Sequence, residues 1–233
     1  MFSAAPFIGG IMDLDTAIEI TGSLTRTSKM PGYSYSIPAQ HCKQGTILRE
    51  IEDSPCHDCY AMKGFYRMDN VRAAQEKRFQ SITDPRWEDA MVVHIRAKVK
   101  TLVPWFRWHD AGDIQSIEHA HKIFNIARRL PEIHFWLPTQ EHTMVLRAIE
   151  MYPHDLPCNL CLRISSQTVG QPLLSSPLPS SSVGVATVSQ WRTMVSNNTK
   201  RFFACPSSMQ NNECGRCRAC WNPKVEQVVY KKH

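Results

Sequence analysis

Three cysteines fall in one short run near the C-terminus, Cys214, Cys217 and Cys220 in ECGRCRACW, and a fourth, Cys205, stands upstream beside Pro206. Thiols this crowded need a metal or disulfides, so the segment must fold around sulfur chemistry. A chain of 233 residues buries a sizeable core without covalent staples, which weighs against disulfides. The cysteines number nine, so complete internal pairing is impossible. The opening MFSAAPFIGGIMDLD has no basic n-region and acquires acids at Asp13 and Asp15, so it does not read as a signal peptide. No apolar run approaches the roughly 20 residues that a membrane helix needs. The expected setting is therefore the cytoplasm, with reduced thiols acting as metal ligands or redox groups and no membrane partner.

The rest of the chain alternates. Residues 1–66 are rich in Gly, Pro, Ser and Thr and read as irregular, apart from a short strand at Tyr33–Ile37. A helix is expected over 69–82, and Asp84-Pro85 opens a second that ends near Lys100. Trp105–His109 reads as a strand, Ser116 caps a helix ending at Leu130, Ile133–Pro138 is the next apolar run and His142–Tyr152 the next helix. Leu160–Ile164, Val183–Val188 and Arg201–Ala204 are further short apolar runs, and QPLLSSPLPSSS (171–182) reads as a loop. Strands separated by helices indicate βαβ units. The expected fold is α/β: a partial parallel (β/α) barrel-like sheet with helices outside. It forms a single domain, 1–233, with an irregular Cys-containing segment (1–66), a body (67–204) and a Cys-rich tail (205–233).

A C-x2-C-x2-C run with one remote Cys is the local pattern by which ferredoxins hold a cubane, whose irons stand further apart than the ligands of one zinc ion. Cys205, Cys214, Cys217 and Cys220 are thus expected to ligate a 4Fe–4S cluster, with zinc as the alternative. Arg216, Arg218 and Trp221 would shield and tune it, or form a solvated turn. Cys42, Cys56 and Cys59 (PAQHC, SPCHDCYA) can hold a second cluster shielded by Tyr60, line the same site, or form a zinc knuckle with His41 or His57. Cys158 and Cys161 read as buried structural thiols on opposite faces of a strand.

Sites in parallel sheets form at the C-terminal strand ends. There the turn WHDAGD offers His109 for proton transfer near neutral pH, and Asp110 and Asp113 to orient it or bind a ligand, or merely to cap the next helix. Arg107 and Arg163 lie inside strands, where an arginine facing the sheet mouth meets an anionic substrate. Trp105, Trp108, Phe135 and Trp136 read as core, His94 as structural or exposed, and His119 and His121 as lying on different helix faces. The net charge of +6 favours an anion: a small oxyanion, a nucleotide or nucleic acid. Together these residues point to an iron–sulfur oxidoreductase that handles a small or nucleotide anion beside the cluster. The rival is a zinc-stabilised module that grips nucleic acid through a basic surface.

SPCHDCYA, RWHDAGDIQS and the closing ECGRCRACWNPKVEQVVYKKH resemble a family of tailed-bacteriophage proteins with a CYA segment, an HD-x-GD turn and a C-terminal CRACW followed by Tyr and a terminal His. The likeness runs from about Ser23 onward. It implies a phage iron–sulfur protein in the cytoplasm of an infected bacterium, fed with electrons by a carrier such as a host ferredoxin or flavodoxin. More distantly, the chain is similar to radical S-adenosylmethionine enzymes. These pair a three-Cys cluster with a partial parallel barrel, an acidic Gly turn and often a C-terminal auxiliary cluster. It departs from them in lacking a compact C-x3-C-x2-C and in carrying AGD where they have a Gly-Gly-Glu type segment. Those departures weaken the expectation of S-adenosylmethionine as a cofactor.

Overall fold

Prolines end the preceding connections and release three central strands: β2 (Trp105–Trp108) after Pro104, β3 (His134–Thr139) after Pro131 and β4 (Leu160–Ser165) after Pro157. The computed structural model describes residues 12–171 and 176–232. The opening segment, on which the signal-peptide reading rests, and part of the Pro/Ser stretch lie outside the described residues. Four more strands, β1 (Tyr33–Tyr35), β5 (Ser180–Gly184), β6 (Phe203–Ala204) and β7 (Gln227–Lys231), complete a seven-stranded sheet in the order β1-β2-β3-β4-β5-β7-β6. Every neighbouring pair is parallel. The expected parallel, barrel-like sheet with outer helices is what forms.

Seven helices accompany it among the described residues: α1 (Leu14–Thr21), α2 (Lys43–Arg49), α3 (Asp69–Ser81), α4 (Trp87–Lys98), α5 (Ile117–Arg129), α6 (His142–Met151) and α7 (Val188–Ser196). Ser116 caps α5 as expected, accepting from the His119 amide at 3.0 Å. Other details differ from the sequence reading. The N-terminal segment carries α1 and α2 and is not irregular throughout. The 171–182 stretch gives way to strand at Ser180, three residues before the expected run. The tail is not an appendage, because β7 inserts between β5 and β6.

Strand side chains alternate between two faces. Phe106, Trp108, Phe135, Leu137, Leu160, Leu162 and Ile164 point to the face covered by α4, α5 and α6, and join Trp87, Met91, Ile95, Ile123, Phe124 and Val145 in the main core. Their neighbours face the other way. Trp136 of β3 and Val228 of β7 there meet Ala219, Cys220, Trp221 and Val225 of the tail. Trp221 packs edge-on to Trp136 at 5.1 Å and donates its indole N–H to the Phe106 carbonyl at 2.9 Å.

Arg163 holds this second layer in place. Expected to receive a substrate anion, it is instead fully buried and donates to the carbonyls of Ser180 (2.7 Å), Val225 (3.0 Å), Asn222 (3.2 Å) and Ala219 (3.3 Å). The guanidinium fork thus ties β5 and the turn after Cys220 to β4. Cys161, on the same face, is buried and accepts from Arg163 Nη2 at 3.5 Å, whereas Cys158 precedes the strand and is exposed rather than buried. Replacing Arg163 by Ala leaves several buried carbonyls unpaired, and chemical denaturation should show a loss of about 3 kcal/mol.

Three histidines are buried in or beside the main core. Burial, with Lys98 and Arg78 nearby, holds His94 down to about 4. Burial, then Arg107, holds His109 to about 3; burial, then His109 and Lys122, keeps His119 well below its usual value. The unfolded chain therefore binds protons below about pH 6.5 that the folded chain refuses. The histidines' contribution to stability should be full above that pH and fall by roughly 1.4 kcal/mol per unit and per histidine towards about pH 4. Denaturant midpoints measured across that range check this; a flat profile contradicts it.

Candidate functional site

Cys205 follows β6 directly, and its amide donates to the Val229 carbonyl of β7 at 2.8 Å, so the first tail thiol sits at a strand's C-terminal end, as expected. The chain then turns back through Asn211 and Asn212, both left-handed at φ 53° and 62°. The Cys214 amide is held by the Lys29 carbonyl at 2.9 Å and the Cys217 amide by the Cys214 carbonyl at 3.0 Å. Cys205, Cys217 and Cys220 pack into the apolar layer of Trp136 and Trp221, and the Cys220 sulfur lies 3.1 Å from the Tyr230 hydroxyl. Burial pushes Cys214 up to about 11, helped by Cys205 and Cys217. Burial pushes Cys220 up to about 12, against the Tyr230 hydroxyl, with Cys205 and Cys214 adding to the rise. The four sulfurs thus feel one another in a site where Cys220 is buried and the other three are half-buried; Arg107 and Arg218 favour the Cys214 thiolate, and a bound cation would favour all four.

The N-terminal thiols form a second group. Cys42 caps α2, and Cys42 and Cys59 pack with Ala39, Ala61 and Ala111 of the acidic turn. Burial, then Asp113, raises the Cys42 thiol; burial, then Cys59, pushes Cys56 up to about 11. Gly45 makes room for them: a Cβ there would stand 2.9 Å from Cys42 Cβ, 3.6 Å from its sulfur and 3.9 Å from that of Cys56. Glu141, 7% exposed, fixes the start of α2 by accepting from the Gln44 amide at 2.7 Å. The two histidines considered for a zinc knuckle each have one ring nitrogen engaged by the fold. His41 pairs with Glu76 at 3.0 Å and stacks on Phe79, and His57 bonds the Arg49 carbonyl at 2.9 Å.

Arg107 stands between the groups. Its Cζ lies 4.4 Å from the Trp136 ring centre and its Nη1 contacts Met30 Sδ at 3.2 Å, while its Nε is buried without a partner. Burial opposes its charge, the Asp110 carboxylate supports it, and Tyr60, Tyr230 and Cys220 lie close by, so it borders the tail thiols and the tyrosine that follows Cys59. Arg163 spends its Nη donors on backbone carbonyls, and Arg107 directs Nη1 at a thioether.

The acidic turn is built differently from a simple strand-end rim. Gly112, at φ 83°, lets the turn press on Ile37, where a side chain would collide. His109 is left-handed at φ 54°, and its ring packs near Trp108 and His119 with both nitrogens buried and unpartnered. It is held neutral there and does not face the rim as a proton shuttle. Asp110 accepts from the Tyr66 hydroxyl at 3.2 Å through Oδ2, its carbonyl accepts from the Tyr60 hydroxyl, and its Oδ1 has no partner. Asp113 does not cap α5; it joins β2 to β3, accepting from Thr139 Oγ1 (2.7 Å) and the amides of Ile114 (2.7 Å) and Gln140 (2.8 Å). Burial pushes it up to about 7 against those donors. Between about pH 4 and about 7 it therefore offsets one of the three buried histidines.

Among the described residues, no three His, Cys, Asp or Glu side chains converge closely enough to hold a single metal ion. A cubane distributes its thiolates over separate irons, so its ligands stand further apart than those of one ion. Residues 15–223 match the gene product 88 family. The chain belongs to that family. It is a phage-type family, in line with the resemblance seen in the sequence, and its matched span contains all seven cysteines of the two groups. No curated protein and no solved structure matches the chain. No helix among the described residues is long and apolar enough to cross a membrane.

Sequence reasoning passed over Gly45, Tyr66, Gln75, Arg78 and Tyr230, because long-range packing alone gives them roles. One local signal existed for Gln75 and Arg78: α3 has few apolar residues, so packing it inward must bury polar ones. Gly45→Ala is a direct check of the N-terminal group. In a helix this change usually gains about 1 kcal/mol. Here the added methyl meets Cys42 and Cys56, and denaturant unfolding should show a net loss.

Proposed function

We propose that this protein is an iron–sulfur oxidoreductase of phage origin. Cys205, Cys214, Cys217 and Cys220 would hold a 4Fe–4S cluster, and Cys42, Cys56 and Cys59 a second metal group. The observation that carries this is the packing of half-buried Cys205 and Cys217 with buried Cys220 against one apolar layer on the sheet, with Cys214 within their electrostatic reach and all nine cysteines free. When bound, such a cluster supplies one-electron transfer. The chain's own residues do the rest. Trp136 and Trp221 keep water from the tail thiols. Tyr230 donates a hydrogen bond to the Cys220 sulfur once it is a thiolate. Arg107 holds the anionic part of a substrate between the two groups. Asp113, close to neutral in its proton affinity, can take or give a proton beside Cys42 and Cys56. Electrons would come from an external one-electron carrier, and the work would take place in the infected cell's cytoplasm.

Protein purified without oxygen and assayed for iron, sulfide and zinc tests this. About four iron and four sulfide per chain, or about twice that with both groups filled, is expected. A colourless protein with stoichiometric zinc overturns it. Tyr230→Phe should keep the iron and shift the midpoint potential to more negative values in a redox titration, because the thiolate loses a donor that favours the reduced state.

A further inference from the structure

A second feature lies beside the N-terminal thiols. Between β1, the turn before α3 and α3 itself opens a cleft of about 400 Å³, lined among others by Ser36, Phe65, Tyr66, Gln75, Arg78 and Asp110. Its polar lining is incomplete. Asp110 is 6% exposed and its Oδ1 has no partner; Gln75 is 3% exposed and its amide nitrogen has none. Leaving such groups unpaired costs roughly 1–3 kcal/mol each, so a fold that keeps two of them in one cleft is built for something that pairs with them. Tyr66 occupies the other carboxylate oxygen of Asp110, so the vacant one requires a donor from the ligand. The Gln75 amide can turn end for end and so presents either a donor or an acceptor to the neighbouring position.

The walls narrow the choice. Phe65 is 82% exposed, an unusual position for a ring that makes little use of the core, and Tyr66 follows it in the same turn. Two aromatic side chains at the mouth suit a flat ring that stacks. Arg78 is 5% exposed, its guanidinium donates to Ser23 O at 2.7 Å and Ser36 Oγ at 3.0 Å, and its positive charge supports the Asp110 carboxylate of the same cleft as an acceptor. A flat ring with an N–H donor next to a second polar atom describes a nucleobase.

We propose that this cleft binds the base of a nucleoside or nucleotide, with Asp110 and Gln75 pairing to its edge and Phe65 stacking on its face. This deepens the reading above, on which it rests for its place in a reaction, by naming the substrate class. Asp110 links the two features, since its carbonyl receives the Tyr60 hydroxyl beside Cys59. The binding itself needs no metal.

Isothermal titration of the full chain, as purified without oxygen, against adenosine, guanosine, cytidine, uridine and their 5′-monophosphates tests it, with iron assayed on the same samples. At least one probe should bind one-to-one, and Phe65→Ala and Gln75→Ala should each weaken it about tenfold. Phe65 is exposed, so its removal should leave the melting temperature unchanged and the loss can be assigned to stacking. Absence of binding by every probe up to about 1 mM, or binding that survives either substitution unchanged, overturns the proposal. Binding without iron contradicts the cluster reading alone; iron without binding contradicts this one alone.

Discussion

A parallel sheet must bury both of its faces, and this chain has helices enough for one. The main core lies between the strands and α4, α5 and α6. The opposite face is closed by the cysteine-bearing tail, pinned by the Arg163 guanidinium and by the Trp221 indole. The rest depends on that arrangement. The tail is at once a structural layer and the bearer of the thiols, so any chemistry it supports is fastened to the sheet by the bonds that complete the fold.

The same layering explains why the sulfurs are held protonated while no cation is bound. They are partly or fully buried, close to one another and bordered by tryptophan, which disfavours several negative charges together. Arg107, projecting from β2 into the same layer, offers a fixed positive charge that favours the Cys214 thiolate. The acidic turn at the end of β2 combines left-handed His109 with two buried histidine rings and an aspartate tied to β3. That concentration of strain and unpaired polar atoms lies where parallel sheets place their sites.

Much of the fold was legible because its local signals agree. Apolar runs behind prolines mark β2, β3 and β4, and Ser116 marks the start of α5. Strand β5 was misplaced because its first residues, Ser180, Ser181 and Ser182, are polar in sequence yet buried between β4 and β7. Strand β7 was hidden behind the cysteine run, whose chemistry drew the reading away from the alternation in QVVYK. The thiols announced themselves, whereas their companions did not. The difference between Arg107 and Arg163, two strand arginines alike in sequence, lies in which carbonyls surround each, and that is fixed only when the tail docks.

The account stands or falls on whether the docked tail holds iron. Crystals grown without oxygen and measured at the iron absorption edge would locate the metal directly. The account predicts a strong anomalous peak among the sulfurs of Cys205, Cys214, Cys217 and Cys220, against Trp136 and Trp221. An iron-free tail, with those four side chains ligating zinc or joined as cystines, would contradict it.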